Sequence, residues 1–194
     1  VLKLALATND IKVRQAIANT TPKVSLEFKA DFESLLNDTS YITKEIALST
    51  VWSQFPEDHK RILDNSKQWI GFNDKNLRIL WLTLALGTKE YQMADKVNYY
   101  DELLNYCNPE FETSIRQNAI ENLLFINDKD KNVLSNLVNS TTSYRWQFSK
   151  FGKDKIRLLL KNPNIRTYLE QLLPNLGKDE NAVLSKILSE KATN

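Results

Sequence analysis

The chain has 194 residues, 42% apolar and 26% charged, with 26 basic and 24 acidic side chains for a net charge of +2. This is the balance of an ordinary folded protein, and it gives no global electrostatic reason to expect nucleic acid or membrane binding. Four glycines and five prolines are few for a turn-rich sheet protein, and a lone cysteine, Cys107, excludes an internal disulfide.

Val1 opens the chain in mid-pattern without an initiator methionine, so it reads as a fragment or processed product of something longer. Asp10 followed by Val13, Arg14 and Ile17 predicts a first helix: the acid satisfies orphan N–H groups, and the apolar pair four apart faces a neighbour. Leu26 to Leu36 places Leu26, Ala30, Phe32, Leu35 and Leu36 on a broad apolar face. Asp38 with Ile42, Thr43 and Ile46 repeats the first pattern. Pro56 suits a first helical turn leading to Ile62 and Leu63.

Asp74 with Leu77, Arg78 and Trp81 is a third copy. Its helix, Lys75 to Leu86, is apolar nearly all round, which predicts an interior position. At about half the roughly 20 residues of a membrane helix, its apolar run is too short to span a bilayer. Gly87 is a natural residue just beyond a helix end. Asn108–Pro109 and Asn162–Pro163 both read as cap-then-proline starts.

Glu112 with Ile115, Arg116 and Ala119 is the fourth copy. Val13, Ile42, Leu77 and Ile115 stand 29, 35 and 38 residues apart, irregular but near the period of roughly 40 of HEAT-type helix pairs. From Tyr144 the repeat fades, and helices are expected near 143–150, 153–161, 163–173 and 179–190. With no Gly/Ser-rich or Pro-rich linker, the expectation is an all-α, HEAT-like superhelix of antiparallel helix pairs, an α-α solenoid, in one domain over residues 1–194.

Complete catalytic motifs are missing from the sequence. His59, the one histidine, sits in a Glu-Asp-His-Lys-Arg context that predicts a solvated surface residue. It cannot by itself furnish an HExxH zinc motif or a structural zinc site with Cys107. Glu57 and Asp58 point apart on a helix, and Glu110 with Glu112 suit a first turn. The four glycines are scattered singly, which excludes a glycine-rich phosphate loop.

The remaining candidates are structural: Trp52 and Trp81 as core, and Arg14, Arg78 and Arg116 as rungs reaching the acidic caps of adjacent repeats. Trp69 and Trp146 complete the set of tryptophans. Arg145, Lys150, Lys153, Lys155, Arg157, Lys161 and Arg166 form a basic run with Trp146, Phe148 and Phe151 interleaved. Such a run can track a nucleic acid backbone, or face an acidic surface or peptide carboxylate. The reading preferred here makes the aromatics core and the lysines a solvated face, with no nucleic acid partner.

Leu35 to Pro56, LLNDTSYITKEIALSTVWSQFP, resembles the C-terminal helical region of zinc aminopeptidases of the aminopeptidase N family, particularly its bacterial members. NDKNLRILWLTLAL at 73–86, IRQNAIENL at 115–123 and YRWQFSKF at 144–151 continue the resemblance, which runs from about Val13 to Leu160. It implies a non-catalytic module that packs on the catalytic domain of the same polypeptide and restricts access of peptide substrates to its cavity. Zinc would then belong to the parent enzyme, with no cofactor in this segment, and the cell envelope or periplasm is favoured over the cytoplasm. A freestanding HEAT-like protein-interaction scaffold is the alternative.

Overall fold

A computed structural model describes residues 2–21, 23–67, 74–89 and 91–190. Among them are twelve α-helices, four 3-10 turns and no strand. The helices fall into two compact units, Val1–Tyr91 and Gln92–Asn194, taken here in turn.

The first unit contains α1 (Leu2–Leu6), α2 (Ile11–Thr20), α3 (Lys29–Glu33), α4 (Tyr41–Gln54), α5 (His59–Ser66) and α6 (Lys75–Gly87). Helix α4 is its hub, packing on α2, α3, α6 and the 3-10 turns either side of it. Asp10 caps α2 through the N–H groups of Lys12 and Val13, and Asp74 caps α6 through that of Leu77, as their positions predicted. Ser40, not Asp38, caps α4.

The apolar face expected over Leu26 to Leu36 is broken into a 3-10 turn at Leu26–Phe28, the short α3 and a second 3-10 turn at Ser34–Asn37. Phe32, Leu35 and Leu36 are buried while Leu26 is exposed. The change of winding re-aims the last residues inward, since 3-10 geometry advances faster per residue than an α-helix.

The repeat positions are not equivalent in space. In α2 and α4 the inward stripe starts one residue later than expected. Val13 and Ile42 are exposed, while Ala18, Thr43, Ala47, Leu48 and Val51 are buried. One residue turns a helix by about 100°, so the shift moves the seam to another face. In α6, Leu77 and Trp81 face inward as predicted, with Ile79, Leu82 and Ala85. Gly87 is the last residue of α6 rather than the first beyond it.

The second unit contains α7 (Met93–Asn105), α8 (Thr113–Ile126), α9 (Lys131–Ser140), α10 (Trp146–Leu159), α11 (Pro163–Glu170) and α12 (Lys178–Ser189). Helix α8 packs on α7, α9 and α10, while α10 and α12 both pack on α9 and on each other. Leu123, Val133, Leu137, Phe148, Ile156 and Leu184 lie in its core.

Asn108–Pro109 does not open a helix. It forms turns, with the Phe111 N–H donating to the Asn108 carbonyl at 3.1 Å, and α8 begins only at Thr113. Asn162–Pro163 does open one, the Asn162 side chain accepting from the Asn164 N–H. The two helices expected at 143–150 and 153–161 are a single helix, α10. Gly152 lies inside it because the chain needs close approach there: an added Cβ would stand 2.1 Å from Ser140 Oγ and 3.1 Å from the Leu137 carbonyl oxygen. The glycine is a contact point between α9 and α10, not a break.

Candidate functional site

In the first unit the aromatic and charged residues serve the packing. Trp81 is fully buried and its indole Nε1 donates to Ser66 Oγ at 2.9 Å, so the polar end of a large side chain is satisfied in the core. The Arg78 guanidinium lies 4.6 Å from the Trp81 ring centroid. Trp52 is half-buried and stacks flat on His59, centroids 3.5 Å apart and planes within 4°. His59 Nε2 lies 2.7 Å from the Trp52 carbonyl oxygen, the N–H donating. His59 is therefore a half-buried packing residue, not the solvated one its charged neighbours suggested. The Phe55–Pro56 turn folds α5 back against the end of α4. Trp69 lies outside the described residues.

Arg14 reaches the acid of the next copy, Asp38, although that acid is not the cap of α4. Its Nε pairs with Asp38, its Nη2 donates to Asp38 Oδ1 at 3.2 Å, and its Nη1 donates to the Thr8 carbonyl at 2.5 Å. Burial alone would push the Asp38 carboxyl up, but the Arg14 pair and the Ser40 N–H hold it below the usual range. Asp58 lies between Arg61 and Lys29, and those two partners lower it to about 2.

The second unit carries a different arrangement. Arg116 takes no such rung: its Nε donates to the Cys107 carbonyl at 3.0 Å and its guanidinium lies 4.8 Å over Phe148. Burial draws its pKa down. The same burial pushes the Cys107 thiol up to about 12, a packed and unreactive state. Tyr100 donates to Asp130 Oδ2 at 2.9 Å, and Asp130 also accepts the Asn132 and Val133 N–H groups at the start of α9.

The basic run divides. Phe148 is core and stacks at 5.9 Å on Phe151. Trp146, expected in the structural set, is 67% exposed, and Tyr144 is 88% exposed. Trp146 is the first residue of α10, ahead of the turn on which the inward stripe of Phe148, Gly152 and Ile156 begins. Several of the cations are partnered within the fold. Lys150 pairs with Asp154, Arg157 grips Glu190 with two bonds of 2.7 and 2.8 Å, and Arg166 Nη1 donates to the Leu188 carbonyl at 3.0 Å. The Arg157 and Arg166 contacts tie α10 and α11 to the end of α12.

Open cavities flank α10, two of which matter most. One of 450 Å³ is lined by Trp146, Lys150, Phe151 and Leu158. The other, 770 Å³, lies at the start of α8 and the α9–α10 junction, where Arg116 and Arg145 line it with Glu112, Thr113, Ser114 and Ser143. The sequence did not disclose this second cavity. Its residues come from two separated stretches, 109–116 and 139–145, and its one signal was the arginine at the fourth repeat position.

Metal-donor side chains are scattered among the described residues. No three His, Cys, Asp or Glu side chains are clustered among them, His59 is committed to Trp52, and the Cys107 thiol is held protonated. No described helix is long and apolar enough to cross a membrane. The chain matches no protein-family model, no curated protein and no solved structure.

Proposed function

We propose that this chain is a non-catalytic, HEAT-like C-terminal module of a zinc-dependent aminopeptidase, packing on the catalytic domain and limiting access of peptides to its cavity. What supports the reading is the aminopeptidase N-like sequence of 35–56, 73–86 and 115–123, together with where it falls. These stretches supply α4, α6 and most of α8, helices with large buried faces. A wall that excludes folded substrates needs rigid helices of this kind and no reactive groups. Zinc chemistry would come from the parent's catalytic domain, and this chain's part is shape.

The test assays the 194-residue chain with aminoacyl reporter substrates, with and without added zinc. The expected result is no turnover, with chelator-sensitive activity appearing only when the chain is joined to a domain bearing HExxH. Robust chelator-sensitive turnover by the chain alone would defeat the proposal.

The exposed Tyr144, Trp146 and Phe125 favour a second reading, a freestanding scaffold that docks a protein partner. The coding frame upstream of Val1 separates the two: an HExxH segment selects the first reading, and an unrelated domain selects the second.

A further inference from the structure

We propose that the cavity between the first turn of α8 and the α9–α10 junction binds the phosphate group of a small organic phosphate, with Arg116 and Arg145 as its cationic partners. This goes beyond the aminopeptidase reading and stands independently of it.

Arg14, Arg61, Arg157 and Arg166 each reach a carboxylate of the fold. Among the described residues Arg116 and Arg145 do not. Arg116 has the Cys107 carbonyl and the Phe148 face, and Arg145 Nε donates to Tyr144 Oη at 3.3 Å. Arg116 is half-buried and keeps its charge, and desolvating it without an anion is costly, while Arg145 is exposed and adds a second cation beside it. Both of these arginines line the same cavity, so a bound anion would supply what the chain withholds.

Further donors surround the two arginines. Helix α8 is 14 residues long and its N-cap, Glu112, makes no side-chain capping bond. Its first-turn N–H groups are thus unclaimed by a side chain, at the positive end of the helix dipole. The hydroxyls of Thr113, Ser114 and Ser143 also line the space. Two guanidiniums, these amides and three hydroxyls exceed what the two oxygens of a carboxylate accept. They suit a phosphate, with three strongly accepting terminal oxygens.

The volume, 770 Å³, is far larger than one ion and within the range of small-molecule sites, so the phosphate would carry an organic body. The exposed Tyr144 ring at the rim offers that body an apolar face. Glu112 also lines the cavity and opposes an anion, which keeps affinity modest.

Calorimetric titration of the 194-residue chain at low salt with phenyl phosphate, inorganic phosphate and benzoate tests the assignment. Phenyl phosphate is expected to bind most tightly and benzoate least. Arg145→Gln, at an exposed position, should weaken phenyl phosphate about tenfold, the scale of one charge-assisted bond. Arg116→Gln should do the same where circular dichroism shows it folded. Glu112→Gln should tighten binding, and Lys150→Gln, outside the cavity, should leave it unchanged. Absence of phenyl phosphate binding, or indifference to both Arg145→Gln and Glu112→Gln, would overturn the site. Benzoate binding as tightly as phenyl phosphate would overturn the phosphate assignment.

Discussion

Single side chains decide several outcomes that helix periodicity does not address. Gly152 is the clearest. With Ser140 Oγ at 2.1 Å from an added Cβ and backbone oxygen at 3.1 Å, α9 and α10 would have to part. Gly152→Ala is therefore expected to destabilise the protein by about 1–3 kcal/mol in urea unfolding. Combining it with Ser140→Ala should recover part of the loss, because the nearest obstructing atom is gone, and a double-mutant cycle reads the coupling. Thr43 is the opposite case. Its buried Oγ1 has no hydrogen-bond partner among the described residues, so the isosteric Thr43→Val should raise stability by about 1 kcal/mol. Asp58 contributes to acid behaviour. Its pKa is lowered from 3.8 to about 2 by Arg61 and Lys29, so the folded state favours the carboxylate. The stabilisation is present above pH 4 and is lost as pH falls towards 2. Asp58→Asn should flatten that limb of the urea midpoint against pH.

At the scale of elements, the acids that begin the four sequence copies do different work. Asp10 and Asp74 are true caps, whereas Asp38 holds Arg14 and Glu112 makes no capping bond. Asp10→Ala and Asp74→Ala should each cost about 1 kcal/mol of thermal stability, and Glu112→Ala distinctly less. Equal losses at all three would show the capping geometry to be misread. The starts of α2, α6 and α11 were legible because capping and proline preferences act within one turn, whereas Asn108–Pro109 pointed to a start for α8 that the chain spends on turns. The rotation of α2 and α4 was not. Each has apolar side chains on two adjoining faces, and only the packed neighbours choose between them. Fusion of the two expected helices into α10 was also hidden, since a glycine in sequence reads equally as a break or a close contact.

At the scale of the whole molecule, the expectation of an all-helical chain agrees with twelve helices and no strand among the described residues. A chelator is expected to leave the melting temperature unchanged, because the described residues offer no donor cluster for a metal to cross-link. A chelator-induced drop in scanning calorimetry would contradict this. Composition and local pattern alone determined the helical class, the starts of α2, α6 and α11, and the burial of Leu77, Ile79 and Trp81, since these follow from interactions within a few residues. Tertiary structure alone decided which face of α4 turns inward, that His59 lies flat on Trp52, that Trp146 stands in solvent, and that Arg116 and Arg145 share one cavity without a carboxylate partner. Those outcomes depend on how helices and turns pack against one another, which no local spacing encodes.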